Sequence, residues 1–159
     1  RVRLANGLLL CSFGIPFIHM GQEIALSKKG NDNTYNVLKL NQMDWTLVDS
    51  RYELVNFMKG LISFRKMIEI FHITDKDLIL QSVDFVEENN VVILKCHNKD
   101  MFHGYNSVLV MFNPTDEIVN VKLEEEHTLV FSSPGILPKQ YQISQYLLAP
   151  CVLAVLARK

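Results

Sequence analysis

The sequence predicts a mixed chain: a helix–strand–loop–helix segment over residues 1–73, then an all-β antiparallel sandwich over residues 74–159. Three observations carry this. Apolar residues recur at steps of three and four from Leu54 to Phe71, the period of an amphipathic helix. After Thr74 the period becomes two, in short runs. Asn89-Asn90, Asn113-Pro114-Thr115-Asp116 and Ser133-Pro134-Gly135 divide those runs with residues suited to tight turns.

Taken in order, residues 4–11 read as the end of a buried helix, broken by Ser12-Phe13-Gly14. Residues 15–20 are expected to be a short buried strand, with Pro16 at its start where a missing N–H costs least. Residues 21–44 are polar and aperiodic, and loops of that length are usually functional or disordered. Ser50 and Glu53 have the S-x-x-E spacing of a capping box, which places the clearest helix at 50–71. Its apolar face is Leu54, Phe57, Met58, Leu61, Phe64, Ile68 and Phe71, while Lys59, Arg65, Lys66 and Glu69 fall largely off it. Strands are expected at 78–87, 91–97, 107–112, 118–123, 128–132, 140–147 and 152–157, with the acidic run 124–126 as a solvated turn. A single buried strand must pair its backbone somewhere. The first segment therefore calls for further chain upstream or for cover from the β domain.

With 48% hydrophobic and 21% charged residues, the composition is that of a globular protein and not of a disordered one. A net charge of −1 with mixed signs gives no footprint for nucleic acid. The opening stretch 4–20 has the look of a targeting segment. At roughly 17 residues, with Gly14 and Pro16 inside it and no small-x-small cleavage pattern, it suits neither a membrane span nor a signal peptide. Cys11, Cys96 and Cys151 each sit among apolar residues and read as buried free thiols, which favours a cytoplasmic over a secreted location.

Three groups of residues invite a chemical reading. His19, Glu23, Asp32 and Asp44 surround the exit of the expected strand and contain the types used in acid–base chemistry. Hydrogen bonding of Glu23 and His19 to loop backbone is the plainer reading. Cys96, His97 and His103 include metal-ligating types, but no second pair completes a zinc pattern. The richest cluster is Asn31, Asn33, Thr34, Tyr35, Asn36, Asn41 and Trp45. Amides can pair with vicinal sugar hydroxyls and aromatic rings offer flat faces to sugar C–H edges. Amides that only hold a long loop in shape would give the same pattern.

Gly14 to Glu23, GIPFIHMGQE, resembles the G-x-P-x-x-x-x-G-x-E segment on the eighth barrel strand of the α-amylase superfamily of glycoside hydrolases. The continuation KKGNDNTYN and LNQMDW is similar, more narrowly, to the type I pullulanases, with Thr34 where that group usually has Ser. LISFRK looks like the eighth barrel helix, and VLVMFNPTDE like a strand and turn of the C-terminal β domain. The resemblance implies the last strand and helix of a (β/α)8 barrel, then the accessory sandwich. It implies a parent enzyme hydrolysing α-1,6 linkages of branched α-glucans; no cofactor and no metal site are expected in this chain, and calcium binding by the parent is left open. The family's two catalytic Asp and one Glu follow barrel strands four, five and seven. By resemblance this chain starts after strand seven, so it would carry no catalytic residue, and Glu23 would be scaffold. Asn33, Tyr35 and Asn36 match the loop at the rim of the substrate cleft and are carried over as glucan contacts. Exposed barrel surfaces would favour self-association. A carbohydrate-binding β module without catalysis is the alternative.

Overall fold

The computed structural model describes residues 1–97, 104–132, 135–136 and 142–159. It opens with α1 (Val2–Leu10), whose buried face includes Asn6, Gly7 and Leu10. Gly7 lets this helix lie close against the sheet, since a Cβ there would sit 3.0 Å from Leu153 Cδ2. Two short helices, α2 (Leu38–Asn41) and α3 (Thr46–Ser50), precede the long α4 (Tyr52–Met67). A 3-10 turn (Glu69–His72) and α5 (Lys76–Ser82) lead into the strands. These are β1 (Val83–Glu88), β2 (Val91–Cys96), β3 (Ser107–Phe112), β4 (Val119–Ser132), β5 (Gly135–Ile136), β6 (Gln142–Leu148) and β7 (Leu153–Arg158).

All described pairings are antiparallel, in the order β1-β2-β3-β7-β4-β5, with β6 also on β4. Successive side chains of β3 and β7 point to opposite faces, and both faces are covered. Val108, Val110, Phe112, Leu153, Val155 and Ala157 join a core with the helices. Met111, Ala154 and Leu156 join a second core beneath β4 and β6, with Val121 and Leu148. This double burial explains why VLVMF and LAVLA read as nearly unbroken apolar runs.

The helical core centres on aromatics: Phe57 and Phe131 have ring centroids 5.7 Å apart, and Phe64 lies 5.8 Å from Phe131 and 5.9 Å from Phe71. Each such side chain contributes about 1.5–3 kcal/mol on burial. The β domain thus covers α1 and α4, but it gives no such cover to residues 15–20, for which that was one of the two outcomes expected.

Several expectations are corrected. Residues 15–20 form no strand, and Ile15 and Phe17 are 93% and 82% exposed. A strand exists only with a ladder partner, and no described segment lies alongside it. Residues 78–82 belong to α5, not to a strand, because Asp75 Oδ1 accepts from the Leu78 N–H and caps that helix. The Ser50–Glu53 capping box does not form: Ser50 Oγ lies near the Thr46 and Leu47 carbonyls, and Glu53 pairs with Arg3 at 2.9 Å. Strands 118–123 and 128–132 are one strand, β4, and the acidic run 124–126 sits inside it at a register break. Arg65 is not off the apolar face but 7% exposed. The Ser133-Pro134 turn and the start of the strand expected at 140 lie outside the described residues.

Candidate functional site: the polar loop after residue 20

The loop is built from a few hydrogen bonds. Gly21 turns the chain at φ +87, where a side chain would collide with Leu26. Gln22 then fastens the turn, with its Nε2 donating to Asn6 Oδ1 at 2.6 Å and its Oε1 accepting from the His19 N–H at 3.2 Å. Arg51 donates to the carbonyls of Ile24 and Ala25, joining the loop to the start of α4. None of Asn6, Gln22 or Arg51 stood out in the sequence. Their signal would have been a polar side chain inside a helical or loop segment otherwise buried.

Farther along, Asn31 closes a turn by donating to the Lys28 carbonyl, from its backbone at 3.1 Å and its amide at 2.9 Å. Asn41 is the clamp of the next turn, donating to the carbonyls of Thr34 and Val37 and accepting from Thr34 Oγ1 at 3.1 Å. Thr34 is buried accordingly. Tyr35 and Asn36 occupy the middle of that turn, closed by Val37 N–H donating to the Thr34 carbonyl at 2.9 Å. Asn33, Tyr35 and Asn36 are all exposed, Tyr35 at 84%. The cluster therefore divides: Asn31, Thr34 and Asn41 shape the loop, while Tyr35 and Asn36 on the turn and Asn33 just before it are exposed. Trp45 is also exposed.

The carboxylate–histidine group does not converge. Asp32 accepts from the Asn33 N–H, and Asp44 accepts from the N–H and hydroxyl of Thr46. His19 hydrogen-bonds through its backbone, and the partner is Gln22 and not Glu23. Of the metal-like trio, Cys96 is fully buried, which pushes its thiol up to about 12, and His97 faces Asp84 at 3.3 Å. His103 lies outside the described residues. No group of three metal-ligating side chains is present among the described residues. Nor is any described helix long and apolar enough to cross a membrane.

The largest buried polar feature is structural. Arg65 donates to the carbonyls of Leu10, Ser12, Gly14 and Phe71, tying the end of α1 to the turn after α4. Desolvation lowers its pKa. Cys11 beside it is also buried, and its thiol is pushed up to about 12.

No family model matches the chain. Over 128 residues it is 27% identical to a pullulanase of Bacillus subtilis (strain 168), covering 79% of this chain and 18% of the relative. The solved structure of an Anoxybacillus sp. LM18-11 pullulanase complexed with maltotetraose superposes with a TM-score of 0.87 at 25% identity, covering 99% of this chain and 23% of that one. The chain is pullulanase-like. A glycogen operon protein GlgX homolog of Mycobacterium tuberculosis (strain ATCC 25618 / H37Rv) is 38% identical over 64 residues, 40% of this chain and 9% of the relative. The pullulanase-like chain spans less than a quarter of the length of each of these three proteins.

Proposed function

We propose that this chain is the C-terminal portion of a pullulanase-type debranching enzyme, whose complete form hydrolyses α-1,6-glucosidic linkages of branched α-glucans with retention. The observation that carries the reading is the match in sequence over 79% of the chain and in fold over 99% of it, against a small share of each relative. The division at residues 73/74 is retained as the end of a catalytic barrel followed by an accessory β domain. On this reading the catalytic Asp and Glu residues lie in the part of the relatives not matched here, and Glu23, half-buried in the turn Gln22–Ile24, is scaffold.

Asn33, Tyr35 and Asn36 are proposed as glucan contacts within the complete enzyme, supported by their exposure on and just before one turn. The related Anoxybacillus enzyme is complexed with maltotetraose, which fits such a role. The binding-module alternative has less support. Tyr105 and Tyr146 pack against the two cores, and Phe102 and Tyr141 lie outside the described residues. Exposed Ile15, Phe17 and Met20 support self-association of the isolated chain.

The reading is tested by incubating purified chain with pullulan and measuring reducing ends. No release is expected, and clear turnover would overturn the assignment. A titration with maltotetraose, followed by backbone NMR, should move Asn33, Tyr35 and Asn36 first if the turn contacts glucan. Shifts confined to the β strands would instead support the binding-module reading.

A further inference from the structure

We propose that the acidic bulge of β4, residues 123–126, is a strap held across a cleft beneath β4 at neutral pH and swings out when His127 takes up a proton. This device lies in the β domain and does not depend on the glucan reading.

Register defines the strap. Lys122 stands opposite Gln145 and His127 opposite Ile143, so four residues of β4 face only Ser144. Three residues more than the ladder can hold must leave it, as in an enlarged β-bulge. Beneath them is a cleft of about 240 Å³, floored by Ile93, Leu109, Met111 and Val121. Its mouth is charged. Asp84 stands opposite Lys95, and Ser107 opposite Arg158, on the face turned towards β4. Two strap carboxylates cross that mouth: Glu124 Oε1 lies 3.7 Å from Lys95 Nζ, and Glu125 pairs with Arg158. Both pairs are partly exposed, and ion pairs of that kind hold weakly.

His127 is the hinge. It is 7% exposed, and its Nδ1 lies 2.8 Å from the Glu125 carbonyl oxygen. A carbonyl can only accept, so Nδ1 carries the hydrogen and Nε2 is left to take a proton. Burial disfavours the charged ring and lowers the pKa of His127. The charged and titratable groups around the cleft are Asp84 and Glu88 of β1, Lys95 and His97 of β2, Lys122, Glu124 and Glu125 of β4, and Arg158 of β7. β3 adds the Ser107 hydroxyl, and β6 has Tyr146 packed on the second core. Glu124, Glu125 and Asp84 are already committed to Lys95, Arg158 and His97. A protonated ring regains hydration by leaving the interior, and it pulls the Glu125 carbonyl with it. Beyond the hinge β4 stays fixed, because Thr128 pairs with both Gln142 and Ala157.

The test follows amide protection of residues 123–127 by NMR between about pH 7.5 and 5, corrected for intrinsic exchange, alongside the His127 ring resonance. Protection should fall, by at most roughly tenfold per pH unit, as pH drops from the range of a free imidazole to the ring's own lowered midpoint, and level off below it, as a single linked proton requires. Protection in β7 should be unchanged, and His127→Gln should abolish the fall. Constant protection through the ring's titration overturns the proposal, as does the same loss in His127→Gln. If that variant does not fold, Glu125→Ala supplies the second arm. It removes an anchor of the strap and should raise the midpoint of release, and an unmoved midpoint overturns the proposal.

Discussion

Two apolar stretches of this chain meet opposite fates. Residues 153–157 of β7 lie between β3 and β4 and are buried on both faces. Residues 15–20 are also largely apolar in sequence, apart from Pro16 and His19, yet Ile15, Phe17 and Met20 are exposed. Apolar content alone does not foretell that outcome. What differs is the partner: β7 finds a hydrogen-bonding neighbour on each side, and residues 15–18 find none among the described residues. An apolar run therefore states that a segment wants cover, not that this chain supplies it.

Truncating Phe131, the β4 neighbour of Val155, and Phe17 in the exposed run is the widest way to break this comparison. Phe131→Ala, in the aromatic core against Phe57 and Phe64, should cost about 3–5 kcal/mol in urea unfolding. Phe17→Ala should fall within about 0.5 kcal/mol of wild type. A cost above about 2 kcal/mol for Phe17→Ala would mean that its segment is packed after all.

Arg65→Met should come next, since it leaves four carbonyls without their donor. A loss of about 2–4 kcal/mol is expected, and Arg65→Lys should recover little, because one ammonium cannot span four acceptors held in two segments. Full recovery by Lys would show that charge alone matters there.

Smaller is the effect of Asn113, fully buried in the turn before β4. Its Nδ2 reaches the carbonyls of Glu117, Leu148 and Ala149, and its Oδ1 accepts from Thr115. Asn113→Ala should cost about 1–3 kcal/mol, read as a lowered denaturation midpoint with unchanged slope.

Thiol chemistry gives the smallest signal. Cys11 and Cys96, both held near 12 by burial, should resist iodoacetamide in the native state at mildly alkaline pH. The half-buried Cys151 should be alkylated first, as mass spectrometry of the peptides would show. Equal labelling of all three would contradict the buried cores.

The sandwich strands were legible where burial on both faces made the apolar run continuous and a turn bounded it. β2, β3 and β7 fall within a residue or so of their expected limits. β4 was not legible as one strand, because three consecutive glutamates imitate a turn and only the register shows a bulge. The short run Leu78-Ile79-Leu80 is ambiguous between strand and helix, and the deciding signal was Asp75 as a cap. Arg65 was hidden for a different reason. A charged residue on a helix reads as solvated, and its role depends on carbonyls 51 to 55 residues earlier in the chain. At the candidate site, the outward Asn33, Tyr35 and Asn36 were readable from residue type. The supports Gln22, Asn6 and Arg51 were not, since each acts across the fold on a partner no local pattern names.

Residues 15–18 have no ladder partner among the described residues, while β3 and β7 have one on each side. Native-state amide exchange reads this directly. Phe17 and Ile18 should exchange at nearly the rate of an unstructured peptide, while Val110 and Val155 exchange only with global unfolding. Protection of Phe17 and Ile18 comparable to that of Val155, in dilute monomer, would contradict the account.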